Sequence, residues 1–236
     1  MNDNSSPRKE IWNLIRKDDL DTLLDKAAVL HGHYCPGLAV GVRAAYTAVK
    51  KMDVEPEGME DVLAIMETNN CASDGVQFVT GCTFGNNSLI FRDLGKTAVT
   101  LTKRDGTGIR LVSKPDAGEE WSDEFPEYSE LFEKVVTNRE GDEEDHKKFN
   151  RLAKKVSHHV VNIPTEDLFK IEEVEVNIPE YAPIHESHIC DDCGESVMAT
   201  RTVNDDDEVV CLECSESDYR ELTGFGIICR DEIDEE

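Results

Sequence analysis

From Asp19 onward, the apolar positions Leu20, Leu23, Leu24, Ala27 and Ala28 fall at helical spacing, with Asp18 or Asp19 placed to cap the start. Residues 1–8 ahead of them are polar and read as a frayed end. The helix runs into His31-Gly32-His33-Tyr34-Cys35-Pro36-Gly37. Pro36 suits the first position of a helix, so a second helix is predicted from there. On that helix Gly37, Gly41 and Ala45 recur every four residues, a stripe of small side chains against which another backbone can pack closely. Val62 to Glu67 is a short apolar run with the length of a buried strand. A short helix is expected through Val79, capped by Ser73 or Asp74, and Gly81 to Asn87 is rich in turn residues.

Ser88 to Arg92 and Thr97 to Lys103 read as strands. Asp105-Gly106 is a hairpin signal, and Ile109 to Val112 reads as the returning strand. Residues 115–127 are acidic and carry Pro115 and Pro126, so they read as loop. Two helical stretches follow, roughly 127–138 and 142–158, the second highly charged. Leu168 to Ile178 alternates and reads as a strand that stops at Pro179. Pro179 to Ser187, with two prolines, is the expected linker, which divides the chain into a core domain over 1–178 and a small domain over 188–236. In the small domain a hairpin is expected from Val197 to Val203 and Glu208 to Val210, turning at Asn204-Asp205, with a helix over Ser215 to Leu222.

Composition changes this picture mainly through charge. The 51 acidic residues against 25 basic ones give a formal net charge of -26. Such a surface repels phosphate backbones and anionic membranes, so no nucleic-acid or membrane partner is expected. The acidity suits a salt-rich cytoplasm and an archaeal source, while 14 lysines against 11 arginines, with no replacement of one by the other, leave a merely acidic protein as the alternative. No apolar run reaches the roughly 18–20 residues of a membrane span. Met1 to Glu10 lacks the apolar stretch of a signal peptide, so a cytoplasmic location is expected. There, eight cysteines point to metal ligands or reactive thiols rather than disulfides.

Four of them make the most specific motif. Cys190-x2-Cys193 and Cys211-x2-Cys214 stand 17 residues apart, the paired spacing of a zinc finger. Four thiolates fill a tetrahedral Zn²⁺ shell, so the site is expected to be structural, a treble-clef-like finger stapling a module too small to hold together easily alone. A rubredoxin-like iron site competes with this reading. The finger is acidic, which favours protein docking over DNA reading, and His188 reads as an ordinary linker residue.

A second cluster lies at the other end. His31, His33 and Cys35 fall within five residues, and Cys35 sits where the N-cap of the second helix belongs, where the helix dipole favours a thiolate. A thiolate beside imidazoles serves a borderline metal or a redox nucleophile. Cys71 follows a strand near a helix start, and Cys82 lies in a glycine-bounded turn. Three protein ligands plus water would leave an open site. Asp74 reads as a cap or as a residue that orients a ligating histidine. Cys229 reads as a buried free thiol.

Three stretches then resemble one known family. His31 to Arg43 (HGHYCPGLAVGVR) looks like the opening motif of the FmdE family, the E-subunit family of formylmethanofuran dehydrogenase. Cys71 to Gln77 with Thr80 to Asn86 looks like its second motif, and Asp93 to Ala98 is similar to its third. Together they span about a third of the chain. The resemblance implies an α+β core, a mixed β-sheet of about five strands flanked by helices, followed by a treble-clef-like zinc finger. It implies a metal site at His33, Cys35 and Cys71, with His31 and Cys82 as further candidates, holding a second Zn²⁺ or another transition metal. It further implies an accessory protein, or a relative of one, partnered with the subunits of a molybdopterin oxidoreductase of one-carbon metabolism, as in methanogenesis. The molybdopterin and iron–sulfur chemistry would belong to those other subunits, since this chain has no cluster-type cysteine run.

Two other function classes stay open: a stand-alone metal- or thiol-dependent enzyme using the His33/Cys35 site, and a docking module acting through the finger. The stripe at Gly37, Gly41 and Ala45 would suit close packing within one chain or between copies, and a homo-oligomer is expected.

Overall fold

Lys9 opens an eight-residue helix, α1 (Lys9–Arg16), which buries Ile11, Trp12 and Ile15 on one face. The computed structural model describes residues 6–205 and 208–229. The next helix, α2 (Leu20–His31), is capped by Asp19, whose carboxylate accepts from the Thr22 N–H at 3.1 Å. It buries the five apolar residues that set its spacing and stops at Gly32, which takes the left-handed conformation at φ 89°. In α3 (Pro36–Met52) Pro36 holds the first position, and the Cys35 sulfur accepts from the Leu38 N–H at 3.3 Å.

Five strands form one mixed sheet in the order β2-β1-β3-β4-β5. They are β1 (Val62–Met66), β2 (Leu89–Phe91), β3 (Ala98–Lys103), β4 (Thr107–Ser113) and β5 (Phe169–Glu175). Only β1 and β2 run parallel, with Ala64 opposite Leu89, and their crossover is the helix α4 (Ala72–Thr80). The remaining pairs are antiparallel, in registers that set Ala64 against Leu101, Leu101 against Ile109 and Leu111 against Ile171. Val62, Ala64, Met66, Val99, Leu101 and Leu111 share a core with the apolar faces of α2, α3 and α4. The fold is therefore α+β, as the motifs led us to expect.

The small residues of α3 find their partner within this chain. A Cβ on Gly41 would lie 2.1 Å from the carbonyl oxygen of Ala72, and one on Gly75 would lie 2.5 Å from the Val42 nitrogen. Two glycines facing one another thus bring α3 and α4 into backbone contact.

After β4 the chain is more helical than its prolines suggested. The stretch read as loop contains α5 (Glu119–Glu124), and Pro126 begins α6 (Pro126–Phe132), which continues as a π-helical turn over Glu133–Thr137. Proline and acidic residues, read as breakers, are also what a first helical turn accepts. Helix α7 (Glu143–Asn162) starts with a capping box from Asp142 and Asp145, and a single turn, α8 (Thr165–Leu168), leads into β5. Neither Ser73 nor Asp74 caps α4. The Asn70 side chain satisfies its first turn instead, accepting from the Ala72 N–H at 3.0 Å.

The chain divides between Ile178 and Pro179 into two compact units. Among its described residues the second contains three hairpins: β6 (Ser187–Ile189) with β7 (Ser196–Met198), β8 (Thr202–Asp205) with β9 (Glu208–Cys211), and β10 (Arg220–Thr223) with β11 (Gly226–Cys229). The expected strand over Val197 to Val203 is broken by a 3-10 turn, Ala199–Arg201. Asn204 and Asp205, read as the turn, instead belong to β8, where they pair with Val209 and Glu208. The expected helix over Ser215 to Leu222 is not formed. A turn over Leu212 to Glu216 precedes β10, and Gly224 and Gly226 (φ 100°) supply a hairpin turn whose flanking residues pair. No helix among the described residues is long and apolar enough to cross a membrane.

Candidate metal centres

In the second unit the sulfurs of Cys190, Cys193, Cys211 and Cys214 lie within 4.8 Å of one another. The two pairs are built alike. The Gly194 N–H donates to the Cys190 carbonyl at 2.9 Å, and the Ser215 N–H to the Cys211 carbonyl at 3.0 Å. Each turn needs a left-handed residue near its exit, supplied by Gly194 (φ 73°) and Glu216 (φ 52°). Backbone N–H groups point at the sulfurs: Cys211 at Cys190, and Cys214 at Cys211, each at 3.3 Å. Donors from the backbone of Cys193 and Cys211 pull the Cys190 thiol down to about 6. Four thiols drawn this close, one of them already favoured as a thiolate, are what a soft or borderline cation requires. His188 sits on β6, exposed, and takes no part in the four-thiol group.

In the first unit three elements meet. His31 is the last residue of α2, Cys35 caps α3 and Cys71 immediately precedes α4, beyond the carboxyl end of β1. The left-handed turn at Gly32 folds the chain back, so that the Cys35 sulfur lies 3.6 Å from Nε2 of His31. Glycine at position 37 lets Cys71 approach, because a Cβ there would stand 3.1 Å from that of Cys71. One nitrogen of His31 and the sulfurs of Cys35 and Cys71 all fall within 4.8 Å of one another. Cys35 donates to the Cys71 sulfur, which pulls the Cys71 thiol down to about 5, with the imidazoles of His31 and His33 adding to the effect against the cost of burial. The donor, Cys35, is pushed up by the same bond and by burial. Two thiols holding one proton between them, beside an imidazole, form a site that a cation can occupy by displacing that proton.

Behind His31 stands a second layer. Its Nδ1 lies 2.7 Å from the Asp74 carboxylate, which leaves Nε2 facing the thiols. The Gln77 amide donates to the other Asp74 oxygen at 3.2 Å, and its carbonyl accepts from the Phe84 N–H at 3.4 Å. Of the two roles open to Asp74 in the sequence, orienting a histidine is the one its contacts match. Gln77 had no such signal. It sits one turn along α4 from Asp74, a spacing that marks it only once Asp74 has a role.

The other candidates are placed differently. The ring of His33 lies 4.3 Å from that of His31, but no His33 nitrogen belongs to the three-donor group; His33 lines a separate cavity of about 270 Å³ with Asp25, Tyr34 and Asn150. Cys82 is fully buried in the core, donates to the Val62 carbonyl at 3.4 Å, and is pushed up to about 11 by burial. Cys229 is half-buried on β11, outside both groups.

Cys35 and Cys71 also line a cavity of about 520 Å³. Pro36 and Val40 of α3 form one side, and Trp121, Tyr128 and Phe132 of α5 and α6 the other. These aromatic residues come from the segment that reads partly as loop, so sequence spacing alone did not tie them to the site.

Both units resemble known proteins. Residues 30–170 match the family described as FmdE, molybdenum formylmethanofuran dehydrogenase operon. Residues 186–220 match the prokaryotic dksA/traR C4-type zinc finger, which supports Zn²⁺ at the four close cysteines. A probable S-adenosyl-L-methionine-binding protein from Archaeoglobus fulgidus is 45% identical over 214 residues, covering 89% of this chain and 56% of that protein. The chain thus spans about half the length of that relative. A solved structure, a tungsten formylmethanofuran dehydrogenase FmdE-like protein from Syntrophus aciditrophicus, superposes with a TM-score of 0.51 at 26% identity, covering 83% of this chain and 91% of the other.

Proposed function

The chain belongs to the FmdE family, and from that premise we propose that it is a two-metal accessory protein to a molybdenum oxidoreductase of one-carbon metabolism. Cys190, Cys193, Cys211 and Cys214 hold a structural Zn²⁺, and His31, Cys35 and Cys71 hold a second transition-metal ion on the wall of the 520 Å³ cavity. The observation that carries this reading is the convergence of those three donors with the Asp74 carboxylate behind His31. A carboxylate on the far nitrogen fixes the tautomer and turns the near one toward a metal. His31 takes the ligand place that the motif assigned to His33.

One nitrogen and two sulfurs suit Zn²⁺ best among common ions, and three protein ligands leave room for a further one. A metal ion there would supply a Lewis acid to an oxygen in the cavity. The residues of this chain do the rest. Asp74 and Gln77 hold the imidazole, and the Leu38 N–H orients the Cys35 sulfur.

Elemental analysis of the purified protein beside Cys35→Ala tests the second site. Two metals per chain falling to one is the expected result; one metal in each would end the proposal for the first unit. Partnership is tested by affinity capture from the native cell, where molybdopterin-containing subunits are expected to co-purify. A second reading rests on the Archaeoglobus relative. If this chain shares the property in that protein's name, the aromatic-walled cavity is where S-adenosyl-L-methionine would bind. Calorimetric titration with that molecule decides the point.

A further inference from the structure

The lining of the 520 Å³ cavity differs in charge from the rest of the molecule. About one residue in five of this chain is acidic, 51 of 236, yet no described residue that lines the cavity carries a carboxylate. The cationic side chain among them is Lys114, half-buried just after β4. Among the described residues its ammonium donates to the Glu166 carbonyl and pairs with no carboxylate, although an ammonium has three protons to give. Thr97 and Ser113 line the same cavity. The Ser113 N–H donates to the Thr97 carbonyl at 2.9 Å, which sets the two residues side by side at the end of the sheet. The Thr97 hydroxyl accepts from the Asn70 amide at 3.2 Å, which leaves its own proton for another acceptor. The rest of the lining is largely apolar, with Val40 on α3, Trp121 on α5 and Phe132 on α6. A cavity of this size, apolar but for a few placed polar groups, has the usual form of a small-molecule site.

We propose that this cavity binds a small monocarboxylate with an aromatic or bulky apolar body, and that Lys114 is the residue that selects the carboxylate. An ammonium only donates, so its partner must accept, and a charged acceptor makes the stronger bond. The hydroxyls of Thr97 and Ser113 can donate to the second carboxylate oxygen. One ammonium and two hydroxyls match a single negative charge. A phosphate monoester carries up to two, and it calls for the arginine clusters that the described lining lacks. The body of the ligand lies against Trp121, Phe132 and Val40, where its apolar surface leaves water. Lys114 is only half-buried, so solvent screens part of its charge and the selection is moderate. The carboxylate sits on the lysine rather than on an ion at His31, Cys35 and Cys71, so this site stands whether or not that ion is present.

The test uses phenylacetate, its neutral counterpart phenylacetamide, and acetate as probes on the full-length protein, with affinities from ligand-observed NMR titration. In wild type, phenylacetate is expected to bind about tenfold more tightly than the amide, and about tenfold or more above acetate, which lacks the ring. Lys114→Met keeps the length of the side chain and removes its charge. It is expected to lose about tenfold for phenylacetate and to stay within about twofold of wild type for the amide, which also reports an intact cavity. Lys114→Arg keeps the charge and is expected to keep the preference for the carboxylate. Trp121→Ala is expected to weaken both aromatic probes alike. No phenylacetate binding to wild type, no preference for it over the amide, a preference that survives in Lys114→Met, or one lost as fully in Lys114→Arg would each overturn the proposal. Metal content is measured on the same samples and on Cys35→Ala, where the preference is expected to persist. A preference lost in Cys35→Ala and kept in Lys114→Met would assign the carboxylate to a metal ion, which overturns this proposal and supports the second metal site. A wild-type sample with one metal per chain that still selects through Lys114 would count against the second metal site alone.

Discussion

Gly41→Ala is the sharpest test of how this fold makes its first site. The added Cβ would stand 2.1 Å from the Ala72 carbonyl oxygen and 2.7 Å from its carbonyl carbon and Cα. Ordinary contact begins near 3.4 Å, so the methyl intrudes by about 1.3 Å on backbone atoms that no rotamer change can clear. Overpacking of this kind costs about 3 kcal/mol, at the upper end of the usual range because only a rigid shift of α4 relieves it. Alanine returns about 1 kcal/mol of helix propensity over glycine in α3. The net loss is therefore about 2 kcal/mol, a fall in Tm of about 4–8 °C for a unit of this size. The shift matters beyond stability, because Ala72 is the neighbour of Cys71. Moving α4 outward by even half the intrusion takes Cys71 away from Cys35 and His31, so metal affinity falls along with Tm. Differential scanning calorimetry and metal per chain are read together, with Gly85→Ala as control, since a Cβ there meets nothing within 4 Å. A Gly41→Ala protein as stable as wild type, with its metal intact, would refute the account of α3 and α4 as helices whose close approach depends on two facing glycines.

Three other perturbations follow from the same geometry. Asp74→Asn keeps the shape but removes the charge behind His31, and it is expected to weaken the first site for metal by 10–100-fold in competition with a chromophoric chelator while the four-cysteine site is unaffected. Cys190→Ser is expected to release one metal and to abolish the thermal transition of the second unit, leaving that of the first unchanged; a single merged transition in wild type would contradict this. Arg110 donates to both oxygens of the buried Glu67, at 2.6 and 2.7 Å, and holds its carboxyl below the usual carboxylate range. Glu67 thus contributes stability that is full above its unfolded pKa and is lost as pH falls through the lower folded value. Arg110→Met is expected to cost about 2 kcal/mol in urea unfolding at neutral pH, because the carboxylate loses its partner, and less once acid protonates it. An equal cost at both pH values would show that the ion pair is not the source.

Much of this protein follows from local patterns that need no third dimension. The run Leu20, Leu23, Leu24, Ala27, Ala28 makes a helix because one face must be buried, and Pro36 after Cys35 starts another because its ring presets the backbone. The paired cysteines at 190, 193, 211 and 214 announce their site, because each pair closes its own turn within five residues. Other elements carried a signal too weak to act alone. The helix α1 has Ile11, Trp12 and Ile15 on one face, yet eight residues form no stable helix until that face is covered. The turn through Gly224 and Gly226 marks a hairpin, but the charged stretch before it has helical composition, and only pairing with β11 decided the matter.

The first site shows where sequence stops. Position along the chain makes His31 and His33 equal neighbours of Cys35, and it makes Cys71 and Cys82 equal partners at a distance. The difference between them lies in direction. The left-handed turn at Gly32 brings His31 to the thiols and leaves His33 outside the three-donor group, the α4 crossover delivers Cys71 to the cavity wall, and the end of the same helix drives Cys82 into the core. Tyr128 and Trp121 reach that cavity from a segment some fifty residues further on, by packing alone. The amino-acid order determined α2, α3, the five strands of the main sheet and the four-cysteine site, because those depend on spacing within a turn or two. The tertiary structure decided which histidine and which cysteines meet, because that depends on how three helix ends are brought together by a glycine contact between two of them.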